Sequence, residues 1–466
     1  MLIKFGTDGW RAVIAQDFTT DNVARVAKAT GKWLNQSNHQ KTAVIGHDAR
    51  FGGQLFTETV VKVLAAEGIK VFMADKMIST PMLSLACNKL QAGIGIVITA
   101  SHNPPSYNGY KLKSTFGGPS TPETVSEVEN FIEDRVDIPN VTIEELIQQK
   151  QVEVVDMEEM YYRQVLSHFD VDKINASGLT FGYDAMFGAG QRIVPRLFPK
   201  IVALHCEDNP GFKGTAPEPL LKNLREFSKL IADSPDIKFG FANDGDADRI
   251  GVFGSHGQFI DSHHVLLLLT HYLHKYQGLN GKVVVSFTVS GKVKKLCKHY
   301  NLPYEVTPVG FKHIAKKMVD EDVLVGGEES GGIAVKNHIP ERDGVWNALL
   351  LMQFMSETGK SIDELVQEIY DIVGSFAFER YDLHITEELK QRIIQKCQSG
   401  YFQSFGKYQI QEIEDIDGWK YHLDENTWLM IRASGTEPVL RVYCESKTQE
   451  EVFTILDTVK EILLQQ

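Results

Sequence analysis

Hydrophobic positions in this chain switch repeatedly between a helical period and short unbroken apolar runs. Thr19-Thr20-Asp21 offers an N-cap, and Val23, Val26, Ala27, Thr30, Trp33 and Leu34 then share one helical face. Ala43 to Gly46 reads as an apolar strand, Phe56 to Glu67 as a second helix ended by Gly68, and Ile69 to Met73 as another strand. Thr80-Pro81 caps and starts a third helix. Gly93 to Thr99 is an unbroken apolar strand that runs into Ala100-Ser101-His102-Asn103-Pro104-Pro105. Strands alternating with helices predict a layered α/β domain, and continuous apolar strands suit a sheet covered on both faces.

The charged stretch Thr142 to Glu159 has helical character and reads as a connection. Beyond it, a second α/β unit carries the strands Thr180 to Tyr183 and Phe239 to Ala242. A third carries Val283 to Phe287 and Leu324-Val325. The C-terminal part differs: strands Trp428 to Ile431 and Leu440 to Tyr443 precede a last helix. That helix opens on the capping box Thr448-x-x-Glu451 and repeats Val452, Leu456, Val459 and Leu463. A length of 466 residues predicts three or four domains at roughly 100–200 residues each.

Composition narrows the function classes. The net charge of -13 argues against a nucleic-acid partner, although a few local arginines can still build a pocket for a small anion. Met1 to Phe5 leads directly into a glycine-rich turn without an apolar leader, and the longest greasy run, Val265 to Leu269, is too short to span a bilayer. The cysteines Cys87, Cys206, Cys297, Cys397 and Cys444 lack metal or redox spacing. Reduced thiols in a cytoplasmic protein are expected, with no membrane partner.

Four loops carry candidate chemistry. Asp244-Gly-Asp246-Ala-Asp248-Arg249 follows an apolar strand and can converge three carboxylates on one hard cation. A calcium EF-hand would need Gly and Glu where Arg249 and Ser255 stand, so Mg²⁺ bridging to a phosphate is favoured. Thr99-Ala-Ser101-His102-Asn103-Pro104 sits at a strand's carboxyl end, where α/β proteins place ligand sites, and Pro104 and Pro105 are expected to hold Ser101 in an exposed turn. Arg432-Ala-Ser434-Gly435-Thr436-Glu437-Pro438, then Arg441, offers hydroxyls, an approachable backbone and guanidinium forks for a phosphate. Gly327-Glu328-Glu329-Ser330-Gly331-Gly332 puts two acids and a hydroxyl in a flexible turn suited to a sugar diol. Each alone is also compatible with an ordinary polar turn. Walker, Rossmann and H-E-x-x-H signatures are absent.

Together these loops resemble the α-D-phosphohexomutase family, the phosphoglucomutases and phosphomannomutases. Phe5-Gly-Thr-Asp-Gly-Trp-Arg11, Gly46-His-Asp-Ala-Arg50, Asn108-Gly-Tyr-Lys111 and Gly310-Phe-Lys312 match further family motifs in order. The resemblance implies an α/β fold of four domains around a central cleft, three related α/β/α layers plus a smaller C-terminal sheet-and-helix domain. The expected boundaries are 1–145 with the phosphoserine loop, 155–255 with the Mg-binding loop, 256–370 with the sugar loop and 375–466 with the phosphate loop. It implies that Ser101 is the phosphoserine and that Asp244, Asp246 and Asp248, with the Ser101 phosphate, hold one Mg²⁺. Arg11, Lys111 and His102 would lie at the transferring group, with Lys111 as acid/base. Arg249 and Lys312 would line the cleft. Glu328 and Ser330 would read sugar hydroxyls, and Arg432, Ser434, Gly435, Thr436 and Arg441 would clamp the phosphate that is not reacting. Gly332, where some relatives have His, together with Ala12 and Gly52-Gly53, departs from the family pattern.

The implied activity interconverts hexose 1-phosphate and hexose 6-phosphate through a bisphosphate that turns around within the site. Glucose is the preferred hexose and mannose a second. The alternatives are a phosphoglucosamine mutase, a phosphatase sharing the metal loop, and a noncatalytic sugar-phosphate-binding protein. The partners are small hexose phosphates, and a sugar bisphosphate is the activator and intermediate.

Overall fold

A computed structural model of the chain describes residues 3–6, 9–433 and 439–465. Its contacts divide it into two compact units. One runs to Val284 and resumes over Gly310–Val366; the other holds Val285–Val309 and the chain from Gln367 onward.

The first unit opens with the helix Thr20–Gln36. Thr19 caps it by accepting from the Asn22 N–H, and Val23, Val26, Ala27, Thr30, Trp33 and Leu34 are all buried. The first sheet runs in the order Trp10–Val13, Tyr107–Ser114, Ile94–Ile98, Thr42–His47, Lys70–Ala74, Val152–Val155. The last four strands are mutually parallel, and Tyr107–Ser114 runs antiparallel to both of its neighbours, Ile94–Ile98 and Trp10–Val13. Every residue of Ile94–Ile98 is buried, as its unbroken apolar run requires.

Several elements differ from the sequence reading. Thr142 to Glu159 is more than a connection: Val152–Val155 is the edge strand of the first sheet, between the helices Ile143–Gln148 and Met157–His168. Its Val-Glu-Val-Val alternation was masked by flanking charge. The second helix starts at Gly53 rather than Phe56, because Gly52 adopts a φ of 75° and turns the chain into it. The cap of Thr80–Lys89 is Ser79, whose hydroxyl accepts from the Met82 N–H. The Thr80 hydroxyl is turned elsewhere.

A second sheet runs Phe259–Ile260, Ile250–Phe253, Ile237–Asn243, Thr180–Asp184, Val202–Leu204. Its central pair is parallel, and Ile237–Asn243 turns through the acidic loop into the antiparallel Ile250–Phe253. Further along, Val323–Gly327 pairs antiparallel with Ile333–Val335, and the buried helix Gly344–Thr358 follows, capped by Asp343.

The second unit contains a five-stranded sheet in the order Ala377–His384, Val439–Ser446, Trp428–Ala433, Trp419–His422, Glu412–Glu414. The helices Glu387–Gln398 and Gln449–Leu464 cover it. Val452, Leu456, Val459 and Leu463 pack there with Leu429, Ile431, Leu440 and Val442. Thr448 caps the last helix by accepting from the Glu451 N–H, but the reciprocal half of the expected capping box is replaced by a different bond of the Glu451 carboxylate. Ser446 Oγ donates to the Glu451 carboxylate at 2.5 Å, tying that helix to the preceding strand. Among the described residues no helix is long and apolar enough to cross a membrane.

Candidate functional site

Ser101 follows the buried strand Ile94–Ile98 and stands in the left-handed region at a φ of 53°. It is 1% exposed, which corrects the expectation of an exposed turn. The two prolines do not lift the serine to the surface, because the acidic loop folds over it. Gly245 makes that approach possible: a Cβ there would lie 2.5 Å from the Ser101 carbonyl oxygen. Ser101 Oγ donates to Asp244 Oδ2 at 2.7 Å. His102 Nδ1 lies 3.3 Å from the same hydroxyl, and Arg11 donates to Asn103 Oδ1 at 2.7 Å.

Asp244, Asp246 and Asp248 are buried, and each offers an oxygen within 4.8 Å of the others. Lys111 Nζ reaches Asp246 Oδ2 at 2.8 Å and Asp248 Oδ2 at 3.3 Å, with no exposure of either partner in these pairs. Arg342 lies 2.5 Å from Asp248 Oδ2, and Thr80 donates to Asp246 Oδ2 at 2.5 Å. The carboxylates respond differently. Burial and the charges of Asp248 and Asp246 push Asp244 well above the usual carboxylate range. Burial also pushes Asp246 upward, but Lys111, Thr80 and Arg342 outweigh it and hold that group below its ordinary value. His102 is half-buried, and desolvation and the cations Arg249, Arg11, Lys111 and Arg342 hold its pKa well below the usual one.

Asp246 Oδ1 and Asp248 Oδ1 are buried and accept no hydrogen bond. Leaving such atoms unsatisfied is costly. Three carboxylates, two of them with an orphaned oxygen, supply hard donors that fit Mg²⁺, and the Ser101 hydroxyl donates to the third, Asp244.

The sugar-reading candidates adjoin the acidic loop. Arg249 and Gly332 form an antiparallel bridge, and the Ile250 N–H donates to the Gly331 carbonyl at 3.2 Å. The expected flexible turn is thus pinned by backbone bonds. Glu328 is 5% exposed and accepts from the Gly310 N–H at 2.9 Å. Burial pushes its pKa up to about 7, with Arg342 opposing. Ser330 is half-buried, and Lys312 lies in the first turn of the helix Phe311–Asp320.

The phosphate-loop candidates belong to the second unit. Arg432 and Arg441 sit directly opposite each other on paired antiparallel strands. Arg432 lies 3.2 Å from Asp417 Oδ2 and Arg441 Nε lies 3.7 Å from Asp382 Oδ1. Ser434, Gly435 and Thr436 fall outside the described residues.

Sequence reasoning missed Arg342 and Thr80 as partners of the acidic loop. The run Glu341-Arg342-Asp343, charged between apolar segments and wholly buried, was the available signal for Arg342. Nothing in the sequence marked the Thr80 hydroxyl.

The chain belongs to the phosphoglucomutase/phosphomannomutase family. The family's α/β/α domains I, II and III match residues 2–137, 159–257 and 261–373, and its C-terminal domain matches 390–462. A phosphoglucomutase/phosphomannomutase of Thermococcus kodakarensis is 26% identical over 97% of this chain and 96% of its own length. A phosphoglucosamine/phosphogalactosamine mutase of Sulfurisphaera tokodaii is 29% identical over 98% of each. The crystal structure of a Thermus thermophilus protein, provisionally named a phosphomannomutase, superposes with a TM-score of 0.88 at 31% identity, covering 99% of both chains. The four-domain α/β fold is therefore that of the phosphohexomutases, isomerases that depend on Mg²⁺.

Proposed function

We propose that the chain interconverts hexose 1-phosphate and hexose 6-phosphate, preferring glucose, accepting mannose and using glucosamine poorly. The observation that carries the reaction is the buried Ser101 hydroxyl, 2.7 Å from Asp244 of an acidic loop whose other two carboxylates pair with Lys111. In the reading we favour, Ser101 carries the phosphoryl group. The P–Oγ bond breaks as a bond forms from phosphorus to a sugar hydroxyl oxygen; that hydroxyl's proton passes to a nearby base, and the departing Ser101 oxygen takes a proton from a nearby acid. We assign Lys111 as the acid/base, with Arg11 and His102 at the transferring group. Asp244, Asp246 and Asp248 would hold Mg²⁺ with an oxygen of the Ser101 phosphate; bound there, the ion would neutralise charge on the phosphoryl oxygens.

A phosphoserine adds about -1.5 to -2 charges to three carboxylates. Arg249 and Lys312, with Arg11 and Lys111, would offset the excess. Arg432, Ser434, Gly435, Thr436 and Arg441 would bind the nonreacting phosphate, in either orientation of the bisphosphate. Glu328 and Ser330 would read ring hydroxyls. The domain limits 1–145, 155–255, 256–370 and 375–466 go with this assignment, as does a cytoplasmic location.

The glucose preference rests on Glu328-Glu329-Ser330: by the family resemblance a second acid marks glucose-using members. A glucosamine reading has its own support in the Sulfurisphaera relative's name. The test is kcat/KM for the 1-phosphates of glucose, mannose and glucosamine with one enzyme preparation. A tenfold preference for glucosamine 1-phosphate, about 1.4 kcal/mol in the transition state, would overturn the glucose assignment and leave the mutase chemistry standing.

A further inference from the structure

We infer that Asp48 and Arg50 are positioning residues for the nucleophile: the Ser101–Tyr107 loop is wound around the buried Arg50 guanidinium, and Asp48 orients it. The inference rests on the reading of Ser101 as the phosphoryl carrier.

Arg50 Nη2 donates to the carbonyls of Ser101 at 2.7 Å and Asn103 at 2.6 Å. Nη1 donates to those of Pro104 at 2.9 Å and Tyr107 at 3.0 Å. One side chain thus satisfies four carbonyls of a loop whose consecutive prolines, Pro104 and Pro105, supply no N–H. Behind it, Asp48 Oδ2 lies 3.4 Å from Arg50 Nε, and neither side chain is exposed. The Phe212 ring sits 5.1 Å from the guanidinium carbon.

Asp48 also acts along a second route. Its Oδ1 accepts from the Arg50 N–H at 3.0 Å and its Oδ2 from the Thr99 hydroxyl at 2.5 Å. The Thr99 hydroxyl accepts from the Ser101 N–H at 2.9 Å. The backbone of Ser101 is therefore held at both ends, its N–H through Thr99 and Asp48, its carbonyl by Arg50. A non-glycine residue at a φ of 53° is strained backbone and persists when its surroundings over-determine it. These bonds do so, and they fix where Oγ points. Lysine cannot replace the arginine, since a single ammonium lacks the planar fork that spans four carbonyls.

The test uses the full-length variants R50K and T99V. Amide hydrogen exchange is followed by mass spectrometry, and kinetics are measured with glucose 1-phosphate and glucose 1,6-bisphosphate. R50K is expected to exchange faster only in peptides spanning 99–108. Its kcat should fall about 100-fold, with KM within about threefold of wild type because ground-state sugar binding is untouched. T99V, which keeps the shape and loses the relay hydroxyl, should show the same local exchange and a smaller kcat loss, and it carries the test if R50K does not fold. Wild-type kcat in folded R50K, a loss confined to KM, or exchange accelerated evenly along the chain would each overturn the inference. If wild-type protein shows no mutase activity, the functional reading fails, while the exchange experiment still decides whether Arg50 and Thr99 organise the loop.

Discussion

Ser101 Oγ donates a 2.7 Å hydrogen bond to Asp244 Oδ2, joining residues 143 positions apart in sequence. The serine is thereby aimed at the acidic loop before any phosphate is attached. Ser101→Ala should lower turnover by several orders of magnitude while the protein stays folded, and peptide mass spectrometry of active wild type should find phosphate on Ser101. A fully active alanine variant would sink the mechanism.

Activity should vanish with a chelator and return with Mg²⁺. Asp246→Asn removes a ligand charge and weakens the Lys111 pair at 2.8 Å. It should raise the Mg²⁺ concentration needed for half-maximal rate by tenfold or more, about 1.4 kcal/mol. Normal turnover of the chelated enzyme would remove the metal from the reading.

Gly245→Ala should damage the site through packing alone, because the new Cβ would meet the Ser101 carbonyl oxygen at 2.5 Å. Separating the two loops should cost about 1–3 kcal/mol of stability and a larger share of activity than of folded protein. Thermal unfolding and specific activity, measured together, check it.

Arg432→Ala should chiefly raise KM, since the proposed phosphate contact serves ground and transition states alike. Some fall in kcat is expected as well, because remote binding orients the sugar. Unchanged steady-state kinetics would place the phosphate clamp elsewhere.

Glu445 gives a pH prediction in the second unit. Burial raises its pKa to about 7, against the opposing effects of Ser290 and Lys292. A carboxyl that holds its proton more tightly when folded adds stability below its unfolded value, and that contribution is lost as pH rises to about 7. Glu445→Gln should therefore match wild type more closely near pH 4.5 and be the more stable protein above pH 7, by a few kcal/mol at most. Denaturant titrations at both ends measure the difference; a wild type that gains stability over this range relative to the variant would contradict it.

The helices and strands that bury one continuous or one periodic face were legible in the sequence. Thr20–Gln36, Ile94–Ile98 and the last helix lie where the apolar pattern puts them, because a local period is enough to specify which face leaves water. Val152–Val155 was not legible, since an edge strand with two exposed residues carries little apolar signal against charged flanks. The acidic loop was readable as a possible cation site because its three ligands come from one short segment. Its partners were not: Thr80 lies 166 residues and Arg342 94 residues from the carboxylates they touch.

By itself the sequence determined the strongly periodic and continuously apolar elements and the order of the motifs, since these follow from residue type and local spacing. Only the tertiary structure decided that Ser101 is buried rather than exposed, that Arg50 sits inside its loop, and that Arg342 and Lys111 converge on Asp248. Those outcomes depend on which distant segments exclude water together. A buried charge or carbonyl must find its partner wherever the fold delivers one, and no local pattern records that distance.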